Sequence, residues 1–111
     1  MDALRVYVAG PYSSDPETNT RAAVEAGNAV LDLGHAPLVP HLSHYWHTLH
    51  GERPYEDWMR IDLSWLAVAD VVLRLPGASP GADREVERAR KHGVPVVWSP
   101  GELAAWAEDR P

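Results

Sequence analysis

The stretch L-R-V-Y-V-A, residues 4–9, runs straight into Gly10-Pro11. It is short, rich in Val and Tyr, and closed by two breakers, so it reads as a buried β-strand. Three further runs of this kind follow it. His35–Val39 (HAPLV) stops at Pro40, Val71–Leu75 (VVLRL) stops at Pro76-Gly77, and Val94–Trp98 (VPVVW) stops at Ser99-Pro100. The segments between them have helical spacing. Thr18–Leu33 places Ala22, Ala26, Ala29, Val30 and Leu33 on one stripe and stops at Gly34. Tyr55–Ala69 begins after Pro54, Ala82–His92 ends at Gly93, and Gly101–Arg110 turns Leu103 and Trp106 inward. Strand and helix therefore alternate along the whole chain, which predicts an α/β fold with a parallel sheet covered on both faces. In such sheets ligands sit beyond the carboxyl ends of the strands. The segments there are Gly10–Asp15, Pro40–Arg53, Pro76–Gly81 and Ser99–Gly101. Pro40–Arg53 reads as a long loop, and long loops in small domains are more often functional than idle.

Composition narrows the function classes. The chain has 111 residues, which predicts one domain over residues 1–111. A domain of this size buries only about two-thirds of its unfolded surface, so self-association would help it. The absence of cysteine excludes disulfide scaffolds, thiolate metal sites and thiol nucleophiles. A formal net charge of −6 argues against a nucleic-acid polymer, which needs a basic footprint, but allows a single nucleotide in a pocket. No run approaches the ~20 apolar residues of a membrane helix, and the N-terminus lacks a signal-peptide pattern. A soluble, cytoplasmic protein is expected. Five Trp and four Tyr against no Phe favour aromatic side chains that also hydrogen-bond, as pockets and interfaces use.

Polar residues on apolar stripes carry the chemical signal. Tyr55, Trp58, Met59, Asp62, Leu66 and Ala69 share one face, with Asp62 in its middle. A buried carboxylate is costly unless paired. Asp62 is then either a half-solvated residue at the stripe's edge or a carboxylate placed for use. Glu85 shares a face with Ala82, Val86 and Ala89, and the segment boundaries put it in the first helical turn. There the helix dipole stabilises its ionised form, which suits a nucleophile and equally a plain surface Glu. Its neighbours Asp83, Glu87, Arg88 and Arg90 supply a solvated face without it. Two carboxylates at one cleft are what glycosidic-bond cleavage uses, one at the anomeric carbon and one for protons.

The turn Gly10-Pro-Tyr-Ser-Ser14 is built of small and polar residues. It offers Gly10, Tyr12 and Ser13 as contacts to an anionic or sugar ligand, or it is a plain strand-to-helix turn. It is neither G-x-G-x-x-G nor a P-loop. His41, His44, His47 and His50 recur every third residue. That spacing drifts around a helix, and Pro40 and Gly51 break the segment, so no metal site is expected. A single pocket-facing His41, just past the second strand, is the better expectation.

An ordered set of segments resembles a known superfamily. The set is V-Y-V-A-G-P-Y at 6–12, D-L-S-W-L-A-V-A-D-V-V-L at 62–73, S-P-G-A-D-R-E-V-E-R-A at 79–89 and G-V-P-V-V at 93–97. Their order and spacing are similar to those of the nucleoside 2-deoxyribosyltransferase-like superfamily. That group holds deoxyribosyltransferases and nucleoside 5′-monophosphate N-glycoside hydrolases. The resemblance implies a small Rossmann-like (flavodoxin-like) three-layer sandwich with a parallel sheet of four to five strands. It implies Glu85 as nucleophile, Asp62 as the residue that orients the sugar or moves protons, and Tyr7 close to the nucleophile. It also implies Gly10 against the ligand, Ser79 and Gly81 at a 5′-phosphate, and His41 near the base. Members form dimers or larger assemblies with shared sites, which makes Ser99 the candidate contribution to a neighbouring chain. Asp70 is family-like; its place between helix and strand reads as mainly structural, with a catalytic role as the alternative. One departure stands out: the hydrolases carry an Arg soon after the first-strand Gly, and here none occurs before Arg21. Ser13, Ser14, Ser79, backbone N–H groups and Arg84 would have to meet a phosphate instead.

The expected activity is cleavage of the base–(deoxy)ribose bond of a nucleoside 5′-monophosphate, with no metal or organic cofactor. The alternatives are a transferase passing deoxyribose between bases and a non-catalytic nucleotide-binding or sensing domain.

Overall fold

The computed structural model describes residues 2–110. Its elements in chain order are β1 (Arg5–Ala9), α1 (Pro16–Asp32), β2 (Ala36–Leu38), a 3-10 turn (Pro40–Leu42), α2 (Ser43–His50), α3 (Tyr55–Leu66), β3 (Val71–Arg74), α4 (Pro80–Lys91), β4 (Val96–Val97) and α5 (Pro100–Glu108). The four strands form one sheet in the order β2-β1-β3-β4, with every neighbouring pair parallel. Chain order reverses between β1 and β3, so the ligand crevice of such a sheet lies beyond Ala9 and Arg74.

The register distributes side chains to two cores. Tyr7 lies opposite Val72 and Val8 opposite Leu73. Alternation along each strand then sends Val6, Val8, Val71 and Leu73 to one face, where Ala23 and Val30 of α1 and Leu103 and Ala107 of α5 cover them. Tyr7, Ala9 and Val72 face the other way, against Leu66 of α3 and Ala82 and Ala89 of α4. The result is a helix–sheet–helix sandwich of three layers, the expected α/β architecture, with the four-strand option realised.

Helix starts follow the sequence. Asp15, Ser79 and Ser99 each accept a hydrogen bond from a first-turn amide, and Pro follows each of them. Side-chain caps of this kind stabilise a helix by about 1 kcal/mol. Asp70 bridges β1 and β3: its carboxylate accepts from the Arg5 amide at 2.7 Å and its own amide donates to the Arg5 carbonyl at 2.9 Å.

Four expectations need correction. Residues 40–53 are not one loop, since they hold the 3-10 turn and the eight-residue α2. The buried face of α1 is Thr20, Ala23, Ala26, Gly27 and Val30, whereas Ala22 and Leu33 are exposed. The face includes Thr20 and Gly27, which are not apolar, so an apolar stripe places it one residue off. Strand β2 has only three residues, with Pro37 in the middle, and lies at the sheet edge where a missing N–H is tolerated. Finally, α4 starts at Pro80, so Asp83 occupies the first turn and Glu85 lies beyond it. The helix dipole therefore gives Glu85 less support than a first-turn position would.

Candidate functional site

Tyr7, Asp62 and Glu85 come together on the α3/α4 side of the sheet. Tyr7 is fixed by its strand register and is 1% exposed, and Glu85 rides the buried stripe of α4 at 7%. The Tyr7 hydroxyl donates a hydrogen bond to Glu85 Oε2. Burial, followed by the charges of Glu85 and Asp62, holds the phenol far above its ordinary ionisation range. It therefore stays protonated and remains a donor. Half-buried Asp62 comes from the inward stripe of α3, and burial raises its carboxyl from 3.8 to about 6.

Glu85 is pushed from 4.5 to about 7. Burial is the main cause, and Asp62 adds to it. The Tyr7 hydrogen bond and the positive charge of Arg74 pull the other way. The constellation is thus two carboxyl groups that both change protonation near neutrality, one of them anchored by a phenol. It can present one carboxylate to an electron-poor carbon while the other donates or accepts a proton.

The surrounding turns are tightly built. A Cβ on Gly10 would meet Leu75 Cβ at 3.0 Å, so the exit of β1 passes close against the exit of β3. Gly77 has φ +112°, and a Cβ there would lie 2.9 Å from Pro11 Cγ. Its bare, left-handed backbone lets the two turns touch. Ser79 Oγ accepts from the Ala82 amide at 3.1 Å, and the Ser79 carbonyl takes the Asp83 amide. The Gly81 amide is then a first-turn donor with no acceptor among the described residues. The Tyr55 hydroxyl of α3 rests beside Gly81, 3.3 Å from where a Cβ would be.

The remaining predicted residues fall into place less uniformly. His41 is buried, and its Nε2 pairs with the Pro11 carbonyl at 3.0 Å, while burial lowers its basicity. It buttresses the turn after β1, and its Nδ1 has no partner among the described residues. Tyr12 packs edge-on to His41 and His44, and its hydroxyl pairs with His44 Nδ1 at 2.8 Å. Ser13 is exposed beside it, and Ser14 Oγ accepts from Asn19. Ser99 caps α5 at the end of edge strand β4, which leaves its hydroxyl proton free to donate elsewhere. Arg84 pairs with Glu56 at 2.8 Å on the surface, so it is engaged rather than free to meet an anion. No three of His, Asp and Glu among the described residues are grouped to hold a metal ion.

Sequence reading missed Arg74. It is 5% exposed at the end of β3 and bonded to the Leu75 and Gly77 carbonyls and to Asp83. The available signal was one charge inside the apolar run V-V-L-R-L.

Comparison with known proteins agrees with this architecture. Residues 4–99 match the family described as Domain of unknown function (DUF7768). A solved 2-deoxyribosyltransferase from the psychrotolerant bacterium Bacillus psychrosaccharolyticus superposes with a TM-score of 0.62 at 20% identity, covering 83% of this chain and 69% of that one. That likeness is one of fold. No curated protein matches the chain. No helix among the described residues is long and apolar enough to cross a membrane.

Proposed function

The chain belongs to the DUF7768 family, and we propose that it cleaves the N-glycosidic bond of a nucleoside 5′-monophosphate through Glu85. The observation that carries this reading is the buried Tyr7–Glu85 pair with Asp62 beside it, at the point where strand order reverses. Ionised Glu85 attacks C1′ as the C1′–N bond breaks, and the bonding pair leaves with the base. The leaving base takes its proton from solvent, since Asp62 at about 6 ionises ahead of Glu85 at about 7. Water then attacks C1′, Glu85 departs as carboxylate, and Asp62 takes the proton that water loses. Tyr7 keeps Glu85 in line throughout. Gly10, Tyr12 and Ser13 line the sugar side, His41 backs the base side, and the 5′-phosphate meets the α4 N-terminus at Ser79 and Gly81. Neither a metal nor an organic cofactor takes part.

Incubation with a panel of nucleoside monophosphates, followed by chromatography for free base, tests the reading. Base release that falls by ~10³ or more in Glu85→Ala supports it. Full turnover in that variant overturns the role of Glu85. The fold shared with a 2-deoxyribosyltransferase favours a second reading, transfer of deoxyribose between bases. A transferase would release base only when an acceptor base is present and would accept unphosphorylated nucleosides. Tight calorimetric binding without product would mark a binding or sensing domain.

We also propose that the site is completed in a homodimer or higher homo-oligomer. The support is the exposed apolar surface of α2 and α3, where Leu49 is 86% and Trp65 59% exposed. A groove of about 490 Å³ beside it is lined by Trp65, Val68 and Leu38. Light scattering should give a multiple of 12.3 kDa, reduced toward a monomer by Trp65→Glu. A monomer in the wild type would refute the assembly. If the assembly forms and Ser99→Ala lowers turnover without dissociating it, the free Ser99 hydroxyl serves a neighbouring site.

A further inference from the structure

Arg74 occupies a position where an apolar side chain would be expected. Val71, Val72 and Leu73 before it are fully buried, and Arg74 is nearly so. Burying a guanidinium costs several kcal/mol unless partners offset it. Its ion pair offsets little, because the Asp83 side chain is 73% exposed and its charge is screened by solvent. Its other two bonds go to carbonyls of the adjoining turn, Leu75 and Gly77, and Nε has no acceptor among the described residues. A stable fold alone does not call for this residue, since apolar replacements of buried ion pairs are often neutral or stabilising.

We infer that Arg74 is a positioning residue, clasping the Leu75–Gly77 turn that leads into α4 and holding a positive charge near the Glu85 carboxylate. Arg74 lies two residues beyond Val72, so strand alternation puts it on the Tyr7 face, and its contact with Asp83 confirms that it reaches α4. Three groups bear on Glu85 from the elements around it: Tyr7 from β1, Asp62 from α3 and Arg74 from β3. Arg74 is the one cation among them. Burial and Asp62 both oppose ionisation of Glu85, and the Arg74 charge resists them. Without it, Glu85 would be harder still to ionise. The clasp supplies the geometric half. It curls the turn so that Gly77 meets Pro11, which fixes where α4 begins and hence where Glu85 stands.

The functional consequence rests on Glu85 being the reacting carboxylate; the clasp and the charge coupling do not. The test is a carboxyl-carbon NMR titration of Glu85, assigned by loss of the signal in Glu85→Gln. In Arg74→Gln, which keeps side-chain amide donors but drops the charge, the midpoint should rise by about one pH unit. In Arg74→Lys it should stay within a few tenths, while exchange of the Leu75 and Ala82 amides, bonded to the Ala9 carbonyl and the Ser79 hydroxyl on either side of the turn, speeds up about tenfold as the two-armed clasp is lost. If base release is observed, the acid limb of kcat/KM should move with the NMR midpoint in Arg74→Gln, and Arg74→Lys should restore it. An unchanged midpoint in folded Arg74→Gln overturns the inference. If Arg74→Gln does not fold, Arg74→Lys decides alone: a midpoint raised as far as one unit refutes the charge role, and unchanged amide exchange refutes the clasp. If the midpoint shifts but no nucleotide releases base, the proposed reaction fails and the coupling stands.

Discussion

Replacing Glu85 with Gln should make the protein more stable above neutral pH. The carboxyl of Glu85 is raised from 4.5 to about 7 in the folded chain. Between those values the folded state holds a proton that the unfolded state has released. Stability therefore falls as pH rises through this window and stays low above it. A rise of that size corresponds to about 3 kcal/mol at ~1.4 kcal/mol per pH unit. Gln carries no charge, and its side-chain oxygen can still accept from the Tyr7 hydroxyl. The variant should thus match the wild type near pH 4 and exceed it by about 3 kcal/mol at pH 8. For a domain of this size that is about 13 °C in melting temperature. Urea unfolding of both proteins at pH 4, 6 and 8 measures the gap directly. A wild-type-to-variant gap that changes by less than ~1 kcal/mol between pH 4 and pH 8 would refute the reasoning, because Glu85 would then ionise without a folding cost. A gain in stability together with loss of base release is the trade expected where a residue is kept for chemistry rather than for the fold.

Three other perturbations have definite outcomes. Tyr7→Phe removes the donor that favours the Glu85 carboxylate. The Glu85 midpoint should rise by about one unit in an NMR titration, since bonds to charged groups contribute ~1.5–3 kcal/mol. Gly77→Ala forces a Cβ into Pro11 at a positive φ, and thermal unfolding should show a loss of about 1–3 kcal/mol. Asp70→Ala leaves the Arg5 amide without its 2.7 Å acceptor. A loss of about 1–2 kcal/mol in urea unfolding is expected, with base release essentially unchanged.

The legible parts of the fold share a cause. Strands β1 and β3 were readable because burial on both faces makes them continuous apolar runs, and the buried face of α4 because packing against the sheet imposes a period on it. Ala82, Glu85, Val86 and Ala89 of α4 are the residues buried in the structure. Helix α2 went unread because it buries none of its residues, so it has no apolar face to impose a period. The inward stripe of α1 was misplaced for a related reason. Thr20 and Gly27 are buried but not apolar, so a hydrophobic count passes over them. Glu85 and Asp62 were visible as polar residues on apolar faces. Arg74 carried the same signal, a charge inside the run V-V-L-R-L, but was read simply as part of that strand. The bond from Tyr7 to Glu85 joins residues 78 positions apart, and nothing local in either segment encodes it.

The lack of buried side chains in α2 also has a kinetic meaning. Eight residues are too few to hold a helix without tertiary support. Its few visible ties are the Tyr12–His44 pair, an edge contact between Trp46 and Trp58 and the loose His47–Glu52 pair at 3.5 Å. This segment should therefore open at a small fraction of the global unfolding free energy, and its amides should exchange with solvent long before those of β1 or β3. Fluctuation and heat would loosen the wall beside Tyr12 first, while Asp62 on α3 and Glu85 on α4 remained in place.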